Sequence, residues 1–502
     1  MFRALFGSKV KVKFNLHLAD ATSVLHITDS EGDYSSFANS IIRSSIVEFD
    51  KLGHLNFQPM AKNPFFIYGG DLTDRGVGDL ELLERLVAFK KRHPERVFLL
   101  AGNREASKTR FHTELHPKYI RERLIRGTAP YWLQSAPHTV PSDYVKKHMI
   151  KNGKFPKSGN DINDYVNLLH LKECQLIYLK WMLEENLSCP YTFSYHAQQL
   201  ATQLGKELHE VSDHMVLDSF LKLTSPNGLM GEYLKHAQAG VIIPNTGILA
   251  VHGGLTPINT GRIPGMIPTD KPISDARVWI NQFNRWVQKE VKKWLDSDPG
   301  EQPLQLRAAS SPLDTFSITI PSPFRTVVTA SMLDDNRQFI SVPEAVSSYL
   351  IKNDISVVLM GHQPCGDHPA VIRSDDERVV FINGDTGYAN AAAKNEHDTR
   401  GPVSHTMQIF SEHNQIKIDI DACLLTEERV STVLKIVQGK VLDEHYIGKL
   451  LPGNELVQCQ LSNGDYRTIH QSGFSVRYSV LTPVEVKEKL NLSLIKRLPE
   501  FN

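Results

Sequence analysis

Residues 64–76 read PFFIYGGDLTDRG, five apolar or aromatic residues running straight into a tip of glycine, aspartate and arginine. A short continuous apolar run suits a strand buried on both faces, and a polar tip at its C-terminal end is where open α/β sheets present reactive groups. The pattern recurs in VLHIT (24–28) before DSEGD, VFLLA (97–101) before GNRE, ILAV (248–251) before HGGL, SVVLM (356–360) before GHQP, and VVFI (379–382) before NGDTGY. Between the PFFIY and VFLLA runs, Leu80, Leu82, Leu83, Leu86 and Val87 recur at helical spacing, with Asp79 as cap and Pro94 closing the segment. A strand, helix, strand unit follows.

Further along, residues 158–235 change to helical periodicity and read as an α-helical insertion. A helix is expected over Ser274 to Leu295, where Val278, Phe283, Trp286, Val287, Val291 and Trp294 form an apolar stripe that reads as core. The Ser- and Pro-rich stretch 303–323 reads as a surface loop or lid. After residue 420 a helix is expected around Glu427 to Lys440, then strands in YRTIH and FSVRYSVL. The expected plan is an N-terminal extension (1–20), a main domain (21–420) and a C-terminal appendage of mixed α/β character (421–502).

Length supports this division, because one hydrophobic core stops growing at roughly 250–300 residues. With 41% hydrophobic and 22% charged residues the chain is an ordinary globular one, and its 56 basic residues equal its 56 acidic ones. No global field therefore draws it to nucleic acid or to an anionic membrane, and any anion recognition must be local. Five cysteines without CxxC spacing argue against a disulfide framework and suit a reducing compartment. The N-terminus lacks the order of a secretory signal, and no apolar stretch approaches the roughly 20 residues that span a bilayer, so a cytoplasmic protein is expected.

The strand tips carry, in order, D-x-E, GD-x-x-DRG, GNRE, HGG and GHQ. Two hard or borderline cations need oxygen and imidazole donors, one carboxylate being able to bridge them, and Asp29, Asp71, Asn103, His252 and His362 supply such a set. Through GGDLTDRG, AGNRE, VHGGL and MGHQP, residues 24–420 resemble the calcineurin-like metallophosphoesterases, most closely the phosphoprotein phosphatase branch. The resemblance implies an α+β fold, a four-layer αββα arrangement whose central β-sandwich is flanked by helices, with a dimetal centre at one edge. It implies that Asp29 binds a first metal, Asp71 bridges two, and Asn103, His252 and His362 bind the second. By the same resemblance Asp74 belongs to the catalytic hydrogen-bond network, and Arg75, with Asn103 beside it, binds substrate phosphate, for which a guanidinium offers bidentate donors. The implied reaction is in-line attack on phosphorus by a metal-activated water.

Two positions depart from the pattern. Glu31 stands where the family usually has histidine; as a ligand it hardens the site and favours Mn, Mg or Fe over Zn, manganese first. Arg104 replaces the histidine of GNHE, which is associated with protonating the leaving group; an arginine, with a pKa above about 12, cannot readily do so. Arg104 can bind phosphoryl or leaving oxygens instead, which favours leaving groups that depart as anions, such as the phenolate of an aryl phosphate or phosphotyrosine. His112 or a water is the alternative proton source. His26 reads as a core histidine, Arg325 and Arg337 as rival candidates for a second phosphate-binding arginine, and Asp367, His368, Asp385 and Arg400 as loop residues near the site.

The expected activity is that of a hydrolase of phosphoric esters, a metal-dependent phosphomonoesterase taking a phosphorylated substrate, possibly a phosphoprotein. The alternatives are a nucleotide or dinucleotide phosphohydrolase and a non-catalytic metal-binding scaffold. A protein partner through the helical insertion or the C-terminal region is compatible with each.

Overall fold

A computed structural model describes residues 21–496 except 130–138, 157–158, 268, 305, 307–310, 318–324, 387–402, 438, 443–444 and 474. The N-terminal extension, much of the Ser- and Pro-rich stretch, and Arg400 lie outside the described residues.

All six apolar runs form strands, and they divide between two sheets. The larger sheet has eight strands in the order Lys440–Val441, Arg429–Val437, Gln415–Cys423, Ser404–Glu412, Thr22–Ile27, Pro64–Tyr68, Val97–Leu100 and Ala237–Gln238. The second has five, in the order Ala370–Arg373, Val380–Asn383, Val357–Met360, Ile248–Val251 and Gly240–Ile243. Thr22–Ile27 sits centrally, pairing in parallel with Pro64–Tyr68 and antiparallel with Ser404–Glu412, Val24 opposite Ile409.

Because side chains alternate along a strand, each sheet has two apolar faces. Val24, Ile67 and Leu100 meet Ile248, Ala250, Val357, Leu359 and Ile382 in one core between the sheets. Leu25, Ile27, Phe66, Tyr68 and Leu99 point the other way, into a core shared with Phe37, Leu82 and Leu83 on helices. Across the second sheet, Leu249, Val251, Val358 and Met360 belong with Trp279 and Phe283. The result is a β-sandwich with helices on its outer faces, an α+β fold. Each fully buried Leu, Val or Phe in it contributes roughly 1.5–3 kcal/mol of hydrophobic stabilisation.

Two details of the helices differ from the sequence expectation. The helix Asp79–Arg92 is capped by the backbone of Gly78, and the Asp79 carboxylate instead accepts the N–H of Asp74 at 3.1 Å. The helix Ala276–Leu295 begins at an Asp275 cap that accepts from Val278 N, and its buried stripe runs through Trp279, Phe283, Val287, Val291 and Trp294, leaving Val278 exposed. The helical region is longer than the periodicity suggested: helices run from Pro141–Lys151 to Leu229–His236, with a separate core of residues such as Leu124, Val166, Leu179, Trp181 and Phe220.

The expected helix at Glu427 to Lys440 is a strand. Val430, Thr432, Leu434 and Ile436 are buried while Arg429, Ser431 and Lys435 are exposed, a period of two that a strand satisfies and a helix cannot. It extends the eight-stranded sheet past residue 420. Beyond it, the YRTIH and FSVRYSVL segments lie in the strands Tyr466–Ser472 and Ser475–Leu481 of a four-stranded antiparallel sheet, and Pro483–Lys496 is a helix.

Candidate metal centre

The strand tips converge at one edge of the sandwich, on backbone that departs from ordinary geometry. Asp29, Glu31, Asp71, Asp74 and His362 all have positive φ, at 50°, 46°, 51°, 100° and 75°. Non-glycine residues are held there only where the surroundings over-determine them, and such residues concentrate at functional sites. Gly70, at φ 101°, shows why glycine is needed: a Cβ would stand 2.8 Å from both Gly102 N and His252 Nδ1.

Glu105, in the GNRE motif, organises the two loops. Its buried carboxylate accepts from Asp71 N at 3.0 Å, Leu72 N at 2.7 Å and Gly102 N at 3.0 Å. Asp71 is thereby aimed at His252 and His362, and one donor atom from each of the three lies within 4.8 Å of the others. His252 donates from Nδ1 to Gly69 O at 2.8 Å, since a carbonyl can only accept, and this turns the Nε2 lone pair into the cluster. The end of the Asn103 amide lies 2.9 Å from His362 Nδ1, 2.9 Å from Asp71 Oδ2 and 3.3 Å from His252 Nε2. With its nitrogen turned inward the Asn103 amide donates to these atoms; with its oxygen inward they are acceptors pointed at one another, an arrangement able to hold a cation. Contacts of that length suit ligands sharing one ion at about 2.1 Å. Burial holds the His252 imidazole down to about 4 and the His362 imidazole well below its usual value, so both are neutral and able to ligate. Asp71 is pushed up to about 6 by burial, against the opposing pull of Arg104.

Asp29 takes a different part. Its Oδ1 accepts from His362 N at 3.0 Å and Oδ2 from the Thr28 hydroxyl, and a Cβ at Gly361 would collide with it. Burial raises its carboxyl well above the usual range, with the like charges of Asp385 and Asp71 adding to the effect.

Glu31 is bound to arginines. Its Oε1 lies 2.6 Å from Arg104 Nη2 and its Oε2 3.2 Å from Arg75 Nε. Arg104 also reaches Asp74 Oδ2 at 3.4 Å and stands 3.6 Å from Asp71 Oδ2. Burial opposes its charge, but Glu31 and the neighbouring acids outweigh this and keep it protonated. Asp74 is likewise resolved by its partners: burial pushes its carboxyl up, yet Lys108 at 2.7 Å and Arg104 bring it below the usual value.

Lys108, fully buried, was not singled out from sequence, although it stands one helical turn after Arg104. Cys189 and Thr192 carry no sequence signal at all. The Cys189 sulfur lies 3.1 Å from Arg104 Nη1, and Thr192 Oγ1 donates to Asp74 O at 2.7 Å, so the helical insertion backs the site directly. Arg325 and Arg337 both face His362, whose imidazole their charges depress after burial and His252. Arg337 is held by Gln363 at 2.8 Å and Arg325 by Asp335 at 3.1 Å.

The remaining candidates lie elsewhere. His112 packs edge-on against Trp294. His26, on the inner sandwich face, is fully buried with neither ring nitrogen hydrogen-bonded among the described residues. His368 is a buried link between Pro369 O and Thr432, and Asp367 grips Arg467 through two contacts, at 2.8 and 2.9 Å.

Comparison with known proteins follows the same lines. Residues 22–189 match the calcineurin-like phosphoesterase family. Over 71 residues the chain is 37% identical to a serine/threonine-protein phosphatase PP2A-like PPG1 of Candida albicans, a match covering 13% of this chain and 16% of that relative's length. A solved cold-active protein-tyrosine phosphatase of a psychrophile Shewanella is similar over 82% of this chain and 80% of its own, at 12% identity and TM-score 0.36. A protein serine/threonine phosphatase from Saccharomyces cerevisiae, with similarity to human phosphatase PP5, is similar over 78% and 74%, at 11% identity and TM-score 0.29. The chain is thus similar, over residues 22–189, to the calcineurin-like phosphoesterases, a match that takes in the motifs at Asp29, Asp71 and Asn103.

Proposed function

We propose that this protein is a metal-dependent phosphomonoesterase of the phosphoprotein phosphatase kind. The observation that carries the reading is the convergence of Asp71, Asn103, His252 and His362 beside arginines that a phosphoryl group can engage. Asp71, Asn103, His252 and His362 would hold a divalent ion, with manganese the first candidate and Fe, Mg and Zn the others. The resemblance implies a second ion, at Asp29, Glu31 and Asp71. When bound, the cation supplies Lewis acidity and an activated water.

The chain's own residues supply the rest. Arg75, the more exposed of the two arginines on Glu31, is placed to exchange that carboxylate for phosphoryl oxygens. Arg104 fixes positive charge against Asp71 and Asp74, where it can meet charge developing on the phosphoryl or leaving oxygen. Being locked in its ionised form, it does not deliver a proton. The favoured substrates are therefore phosphate esters with acidic leaving groups, aryl phosphates and phosphotyrosine ahead of serine and threonine phosphates.

Turnover of an aryl and an alkyl phosphate, compared under one metal condition, tests this. A preference of about 10-fold or more for the aryl ester is expected, from Brønsted behaviour without a general acid; equal rates would count against the leaving-group argument. Asp71→Asn should abolish turnover, and unchanged activity would remove the proposed centre.

A further inference from the structure

The two departures that the sequence presents separately, Glu31 and Arg104, are partners at 2.6 Å. Their position matters more than their contact. Asp71 stands between two groups: its Oδ1 lies 3.4 Å from His252 Nε2 and its Oδ2 2.9 Å from the Asn103 amide, within the donor set, while Oδ2 also lies 3.6 Å from Arg104 Nε on the other side. On the Arg104 side, the guanidinium meets Glu31, Asp71 and Asp74, all at least nine-tenths buried. A carboxylate that bridges two metals has them roughly 3.5–4 Å apart, one on each side. Here one side offers converging acceptors and the other is filled by N–H donors.

We propose that the Arg104 guanidinium stands in for one of two cations, so that the chain binds a single divalent ion on Asp71, Asn103, His252 and His362. A guanidinium suits this place because its planar fork satisfies several carboxylates at once and remains charged when buried. Its surroundings fix it: Cys189 Sγ lies 3.1 Å behind Nη1, and Lys108 shares the charge of Asp74. Glu31 is then the counter-anion of Arg104 and Arg75, and Asp29 is a positioning residue that holds the His362 loop through its backbone N–H.

The proposal rests on the phosphoesterase reading for its metal-binding set, so its test counts ions independently of turnover. The full-length chain, stripped with chelator, is titrated with Mn²⁺ by calorimetry, and the bound metal is measured by elemental analysis after desalting. One Mn²⁺ per wild-type chain is expected; two would overturn the proposal. His362→Gln should lose the tight ion, and the double variant Glu31→His, Arg104→His should gain a second. A well-folded double variant that still binds one ion would show that Arg104 is not what excludes the other. A wild-type chain that binds none tightly would remove the metal centre itself, and the proposed function with it. The wild-type count decides even if the double variant does not fold.

Discussion

The loop bearing Asp71 is held by its own neighbourhood in the sequence, whereas the loop bearing His362 is held by segments far from it. In the first, Glu105 gathers the N–H groups of Asp71, Leu72 and Gly102. In the second, Asp29 accepts the His362 N–H from 333 positions earlier, and the C-terminal sheet adds the rest: Arg467 clasps Asp367 across 100 positions, its guanidinium 3.7 Å over the Tyr478 ring, while Gln471 donates to Pro364 O. The comparison teaches that one side of the donor set is a local motif and the other is a tertiary assembly. A residue with no place in any motif can therefore control the site.

The sharpest way to break the comparison is at Glu105. Glu105→Ala should cost roughly 4–5 kcal/mol, since charge-assisted hydrogen bonds to buried N–H groups are worth roughly 1.5–3 kcal/mol each and leave orphans when lost. Urea denaturation measures this, and a loss under about 1 kcal/mol would mean that the loop has other support. On the tertiary side, Arg467→Met strands the buried Asp367 carboxylate and should cost roughly 3 kcal/mol. It should also raise the Mn²⁺ concentration for half-saturation about 10-fold, as outer supports of ligands do. Loss of stability with unchanged metal affinity would confine the C-terminal sheet to a structural role.

Acid should weaken the fold more gradually. Burial holds His26 down to about 3 and His196 and His368 to about 4, against an ordinary value near 6.5. Between those values the unfolded chain binds more protons than the folded one, so the stability these groups contribute is complete above about pH 6.5 and declines as pH falls toward 4. Melting temperatures at pH 7.5, 6 and 5 should decrease in that order, and His196→Gln should flatten the slope. The smallest effect is expected at the exposed Lys172–Asp218 pair on the helical insertion, where Lys172→Ala should change stability by under about 0.5 kcal/mol.

What could be read in the chain follows the same division. The strands were legible because they are doubly buried and end in motif tips, and the donor residues because each sits on such a tip. The strand Arg429–Val437 was not, because Glu427, Glu428, Lys435 and Lys440 suggest a charged helix unless the alternation of Val430, Thr432, Leu434 and Ile436 is weighed first. The pairing of Glu31 with Arg104 was invisible because spacing along the chain says nothing about which two odd residues meet across a cleft. Cys189 and Thr192 reach the site, and Arg467 the loop that follows His362, through packing of elements that are distant in sequence, which no local pattern encodes.

The pairing of the first strand also has a consequence in time. Thr22–Ile27 carries the opening motif, yet its antiparallel neighbour is Ser404–Glu412, and the Ser36 hydroxyl just after it seeks Val403 O, 367 positions on. At synthesis rates of roughly 5–20 residues per second, one edge of that strand waits roughly 20–70 s for its partner to leave the ribosome. The nascent chain therefore carries an open, apolar strand edge through most of its translation, and the cell must shield it from other chains for that interval.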